Sequence, residues 1–430
     1  MPAEALTVRR QPRRRRRARQ SIAAAVLAAA LLAGLPACSP APSETAAKAE
    51  PSPAPASVND PVVTAVAAQL FEERGLRAAV GQVLEDGEVI AEFALGEAQS
   101  GVPSTVGDSY RNGAIAITYL SVTALRLAEQ DVLDLDAPIK AYLPDFADAD
   151  RITVRQLLSM TSGLPDYVPN PDFDTAFYAD PFRNWTTQEL IEFGISQPRL
   201  FEPGANWDYS HTGIQVLGEV LAAAAGEPVS QLLRREVLDP AGLQNTFSEQ
   251  TAQIPEPVLH GFTAERGVYE DATFWNPSWT LAEGSVQTTT VGDTARSFDA
   301  FVGRGEHLEP ASHQALLSRN LVGFGEPLAG CRSCHTLDED FAYGLGVFLR
   351  GDYIAQTPLF GGYTASVITL PAVRAHDGKS LTVSVAATLQ ENAVQDWLAP
   401  IPNRADELAI AVAAALRPAQ APPAFTPPRG

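Results

Sequence analysis

The sequence predicts an α+β fold: an antiparallel sheet of about five strands formed by both chain ends and flanked by helices, with a helical subdomain inserted in the middle. Three observations predict it. Two β-type runs joined by an Asp-Gly turn stand near the front of the chain, three more stand near its far end, and the roughly 200 residues between them are dominated by helix signals.

Taken in order, Val62 to Gly75 spaces its apolar residues for a helix and stops on glycine. Arg77 to Leu84 and Glu88 to Leu95 read as strands, and Glu85-Asp86-Gly87 between them holds the Asp-Gly pair that a tight hairpin favours. Thr153-Val154-Arg155-Gln156 and Thr186-Thr187-Gln188-Glu189 are capping boxes, in which a threonine hydroxyl and a side chain three residues on satisfy each other's free amides. Gly213 to Ala225 sets Ile214, Leu217, Val220 and Leu221 on one helical face before Gly226. Ala342 to Leu349, Thr364 to Leu370 and Ser380 to Ala387 are the later strands, the last two joined through Asp377-Gly378. Asn403 to Leu416 closes the domain as an Ala-rich helix.

The two ends read differently. Residues 1–37 hold eight arginines, then an apolar run from Ile22 to Leu35, which is the pattern of a signal peptide and too short to span a bilayer with ordinary flanks. Cys38 follows Leu35-Pro36-Ala37 where a bacterial lipoprotein carries its lipid, and 38–60 is a Pro/Ala/Ser-rich tether with little to bury. The folded domain is therefore expected over 61–417, with a disordered tail over 418–430. Export to the periplasmic side of a bacterial envelope follows as an expectation, with the lipid anchor as the only membrane contact and Ser39 favouring the outer membrane. The formal charge of −20 repels phosphate backbones, so nucleic acid is excluded as an expected partner.

Chemistry is concentrated in three short segments. Tyr110-Arg111-Asn112-Gly113 leads into Ala114-Ile115-Ala116-Ile117 at the start of an apolar helix-like run. Tyr209-Ser210-His211 follows Phe201-Glu202-Pro203-Gly204, and Gln356-Thr357-Pro358 precedes Gly361-Gly362-Tyr363. Around them stand Leu133-Asp134-Leu135-Asp136-Ala137-Pro138, Thr161-Ser162-Gly163-Leu164-Pro165 and Tyr343-Gly344-Leu345-Gly346. In this order and at these spacings, the chain from about Val62 to Leu416 resembles the superfamily of class C β-lactamases and D-alanyl-D-alanine carboxypeptidases, serine hydrolases that include esterase-like, penicillin-binding members.

The resemblance implies the β-lactamase/transpeptidase-like fold and a site built on S-x-x-K, where the Ser attacks and the Lys holds its proton network. Here those two positions are Ala114 and Ile117, which offer neither oxygen nor nitrogen. The second motif of relatives, Tyr-x-Asn, ends on His211. Tyr209 is retained, either as a hydrogen-bond donor in the cleft or as a packed ring. The third, K-T-G or H-x-G, is matched by Gln356, Thr357 and Pro358. Gln356 carries no charge, and Pro358 lacks the N–H to which a substrate would pair. The expectation is a pseudoenzyme of the serine hydrolase family that retains at most binding, of a cell-wall peptide or a small-molecule ligand, through Tyr209, Thr357 and Trp279, without a cofactor. The rival is a hydrolase of the carboxypeptidase, esterase or lactamase type with a relocated nucleophile among Thr118, Ser121, Ser162 and Ser210, the last beside His211.

Cys331-Arg332-Ser333-Cys334-His335 matches the haem c attachment pattern, which gives a redox carrier as a third reading. With Cys38 assigned to lipid, Cys331 and Cys334 form an even pair in an oxidising compartment, and the plainer expectation is a short-loop disulfide. No metal is expected, since zinc needs more ligands than a lone two-Cys knuckle offers and His307 and His313 are the nearest further histidines. Trp207, Phe274, Trp275 and Trp279 flank the expected groove, as subdomain packing or as a platform for a sugar or peptide face.

Overall fold

The computed structural model describes residues 59–248, 251–391 and 403–423. The expected signal peptide and the expected lipidation site at Cys38 fall outside the described residues, as does nearly all of the expected tether.

Its main sheet is antiparallel, and its strands are numbered here in chain order: β1 (Leu76–Glu85), β2 (Glu88–Gln99), β3 (Val102–Pro103), β4 (Ala342–Tyr343), β5 (Phe348–Arg350), β6 (Tyr353–Gln356), β7 (Leu359–Phe360), β8 (Tyr363–Leu370) and β9 (Leu381–Leu389). They pair in the order β3-β2-β1-β9-β8-β6-β5-β4, with β7 also on β8. The first and last thirds of the chain thus meet at β1 and β9, where Ala79 faces Ala387 and Val83 faces Val383.

The sheet has nine strands rather than about five. The added ones are two to four residues long, too short for alternation to register. The expected strand Ala342 to Leu349 is split into β4 and β5 because Gly346 takes a positive φ of 68° between them. Residues 61–73 and 404–416 are helices, as their apolar spacing requires, and both lie on one face of the sheet. Val63, Ala67, Leu408 and Val412 pack there against Ala79, Val83 and Val385. The opposite face, with Ala78, Val80, Val367 and Ala386, packs on the helix Ile115–Glu129 and the inserted region. Burial on both faces accounts for strands that are almost continuously apolar.

Within the insert, both capping boxes form, at Thr153 with Gln156 and at Thr186 with Glu189. The helix His211–Ala225 ends on Gly226 in the left-handed region. A third cluster, Tyr167, Phe173, Phe177, Trp185 and Trp275, fills the space beside it. Composition ends the domain at 417, but the structure carries it further. Pro418–Gln420 forms a turn of 3-10 helix, and Gln420 Nε2 donates to Asp352 Oδ2 at 2.9 Å and to the Arg374 carbonyl at 2.8 Å.

Candidate functional site

The site is assembled where the helix Ile115–Glu129 begins. Tyr110–Arg111 pairs with Thr288–Thr289 as a two-residue ribbon, and Arg111 is held beneath it by Thr288 Oγ1 at 3.1 Å and the Ala252 carbonyl at 2.8 Å. Gly113 then turns the chain with φ 49°, which delivers Ala114 to the N-cap. Ala114 is partly exposed and caps nothing, having no side-chain oxygen. One turn on, Ile117 is fully buried, and a side-chain carbon at Gly346 would stand 3.3 Å from its Cγ2.

The third segment lies directly against this start. A side-chain carbon at Gly113 would meet Pro358 Cβ at 2.9 Å. Gln356, fully buried at the end of β6, gives its amide to the Gly346 carbonyl at 2.7 Å and to Thr118 Oγ1 at 3.3 Å. Thr118 donates to the same carbonyl at 3.1 Å. The Pro358 carbonyl, which on an open edge would be free for a ligand, accepts from Ala365 N at 3.1 Å and from Asn403 Nδ2 at 3.1 Å. Thr357 beside it is half-buried.

Tyr209 is stacked on Phe348 with ring centroids 5.9 Å apart and set edge-on to His211 at 5.2 Å. Burial pushes its hydroxyl well above the usual tyrosine range, and the Asp166 carboxylate adds to this, so the phenol stays protonated at neutral pH. His211 opens its helix with Nδ1 3.1 Å from both oxygens of Asp166, whose Oδ1 also accepts from the His211 amide at 3.1 Å. The carboxylate fixes the ring and leaves Nε2 as the nitrogen facing away from it.

The hydroxyls considered as replacements are occupied locally. Ser210 Oγ accepts from Gly213 N at 3.0 Å as the helix N-cap, Ser121 Oγ donates to the Ile117 carbonyl at 3.0 Å, and Ser162 Oγ accepts from Leu164 N at 3.3 Å. Of the four aromatics flanking the expected groove, Trp207 and Trp275 are core residues and Phe274 is exposed. Trp279 is half-buried and stacks on Phe360 at 5.5 Å with the rings 12° from parallel, next to Gly113 and Pro358.

Cys331 and Cys334 are joined as a disulfide with Cα atoms 5.5 Å apart, so the sulfurs are bonded to each other. The loop it closes reaches the Tyr209 segment, since Ser333 Oγ accepts from Tyr209 N at 3.0 Å and donates to Asp208 Oδ1. Asp166, Asp208, Tyr209, Arg332 and Ser333 line a cavity of about 460 Å³. Burial raises the Asp208 carboxyl to about 6 despite the Ser333 hydrogen bond. Asp208 precedes Tyr209 in the chain, whereas the fold brings Asp166 to His211 and Ser333 to Asp208 and Tyr209.

The sequence profile of the Beta-lactamase family matches residues 63–413. The chain belongs to the Beta-lactamase family. Among curated members, it is 30% identical over 194 residues to the esterase EstB of Burkholderia gladioli, covering 42% of this chain and 49% of that one. It is 26% identical over 182 residues to penicillin-binding protein 4* of Bacillus subtilis (strain 168), covering 41% and 39%. The match spans half or less of each of these relatives. Among solved structures, the D-amino acid amidase from Ochrobactrum anthropi SV3 complexed with D-phenylalanine superimposes with a TM-score of 0.66 at 21% identity, over 83% of this chain and 99% of that one. That likeness establishes the serine β-lactamase and penicillin-binding-protein fold.

Proposed function

We propose that this protein is a non-acylating member of the Beta-lactamase family, exported, held in the cell envelope through a lipid on Cys38, and acting by binding a cell-wall peptide or a related small molecule in its cleft. The observation that carries the reading is Ala114 at the helix N-cap, with no attacking oxygen where the family's chemistry begins. Loss of a nucleophile from a comparable hydrolytic triad lowers turnover on the order of a millionfold. The surroundings agree: Ile117 provides no ammonium, Gln356 is tied to Gly346 and Thr118, and the Tyr209 phenol is held protonated by burial.

The test is intact mass after incubation with a labelled penicillin and with a fluorophosphonate, beside a thermal-shift screen of muropeptides and lactams. The reading expects no adduct and a rise in melting temperature with at least one muropeptide. A stoichiometric adduct overturns it.

One observation favours a second reading. The Asp166–His211 pair is a carboxylate-oriented imidazole, able to take a proton from water held in the cleft. Hydrolysis of a screened ligand without any covalent adduct, abolished in His211→Ala, supports that reading over simple binding.

A further inference from the structure

The short Cys-x-x-Cys loop has a third partner that its own sequence does not contain. The ligand atoms of Asp208, Cys331 and Cys334 all lie within 4.8 Å of one another. Asp208 sits more than 120 residues before the cysteines and arrives there because Trp207-Asp208-Tyr209 runs under the loop on its way into the helix His211–Ala225. We propose that Cys331, Cys334 and Asp208 form a redox-gated site for a thiophilic divalent cation such as zinc, closed while the disulfide stands and opened by its reduction.

Three features beyond proximity support the assignment. Both cysteines are buried, while Asp208 reaches the cavity, so a cation held there would be enclosed on its sulfur side and open on the other. The Cys334 amide already donates to Cys331 Sγ at 3.1 Å, and an amide directed at sulfur favours the thiolate that a metal needs. Ser333, between the cysteines, donates to Asp208 Oδ1 and so orients the carboxylate toward the loop, which is how groups behind a metal's ligands usually act.

The chemistry balances with a dithiol as reductant. The donor supplies two electrons and two protons and becomes a disulfide, the Cys331–Cys334 bond breaks, and two thiols form. A divalent cation then displaces both thiol protons and binds two thiolates and the carboxylate. Zinc–sulfur bonds of about 2.3 Å and zinc–oxygen bonds of about 2.0 Å place tetrahedral ligand atoms roughly 3.5–3.8 Å apart, so the cluster closes by a modest movement once the sulfurs separate. Three protein ligands leave the fourth position to water or a bound molecule.

The experiment uses the full-length, tag-free chain. Zinc is titrated against a chromophoric chelator before and after treatment with a phosphine, which reduces the disulfide as it takes oxygen from water and does not compete strongly for the metal. One equivalent bound after reduction and none before is the expected result. Asp208→Asn should weaken binding about tenfold or more, the scale at which even outer groups of zinc sites act. Cys331→Ser with Cys334→Ser should abolish it, while circular dichroism shows the fold kept. Cobalt(II) gives an independent readout, because a thiolate-to-cobalt absorption band appears only if the sulfurs are ligands. Failure of the reduced chain to bind zinc overturns the proposal. So does binding unchanged in the double Ser variant, or in Asp208→Asn.

Discussion

Pro358 leans on Gly113, where a side-chain carbon at residue 113 would stand 2.9 Å from the proline Cβ. The start of the Ile115–Glu129 helix and the strand beside it are therefore fitted to each other, and on the proposed non-acylating reading a change in one alone is not expected to give an efficient hydrolase. Ala114→Ser with Ile117→Lys is expected to leave hydrolysis of a chromogenic cephalosporin far below that of an intact relative. The new ammonium would enter a fully buried position with no carboxylate assigned to it, which also costs several kcal/mol of stability. Initial rates and urea melts of the double variant check both halves, and full recovery of activity would show that Gln356 and Pro358 do not obstruct the cleft.

The Gly346 turn is a second fixed point, because the carbonyl there receives both Gln356 and Thr118. Its φ is 68°, and an added Cβ would stand 1.8 Å from Ser121 Oγ. Gly346→Ala is expected to destabilise by about 2–5 kcal/mol through strain and overpacking together. Gln356→Leu keeps the volume but leaves the carbonyl short of a donor, for about 1–3 kcal/mol. Equilibrium urea unfolding measures both, and an unchanged midpoint for Gly346→Ala would mean that the turn relaxes freely.

Glu85 gives a pH signature. Arg417, chiefly by hydrogen bonding, holds its carboxyl below the ordinary 4.5, with Lys379 adding a smaller attraction. A carboxyl depressed in the folded state stabilises above its unfolded value and loses that contribution as pH falls through the folded one. The stability difference between the native chain and Glu85→Gln should therefore be present at pH 6, about 0.5 kcal/mol for a solvent-screened pair, and fade below pH 4.5. Urea melts at a series of pH values read it directly, and a difference that grows toward acid would reverse the assignment.

These contacts also show why some of the molecule was legible in the sequence and some was not. The helices at 61–73 and 404–416, the hairpin at Asp86-Gly87 and the two capping boxes are local devices, written in consecutive residues. The short strands β4 to β7 hold two to four residues each and are defined by their neighbours in the sheet, so periodicity has nothing to repeat. At the site, Ala114, Ile117 and Gln356 are picked out by motif spacing along the chain. Asp166 beneath His211, and Asp208 beneath Ser333, answer to no spacing at all. They are partners across 45 and 125 residues, brought together by packing alone.

Trp275 and Trp279 separate binding from stability. Trp275 is 1% exposed and belongs to the third core with Phe177, so Trp275→Ala is expected to cost about 3–5 kcal/mol. Trp279 is half-buried and lies flat on Phe360, the strand residue that follows Pro358 and Leu359 at the helix start. If the cleft binds a muropeptide, the half-buried Trp279 ring is the aromatic surface proposed to meet it, and stacking there needs no catalytic group. Trp279→Ala should abolish the ligand-induced rise in melting temperature, whereas Trp275→Ala should lower the melting temperature of the free protein yet keep the rise. Thermal-shift curves of the two variants with and without ligand decide it, and a rise that survives Trp279→Ala would move the binding surface away from this ring.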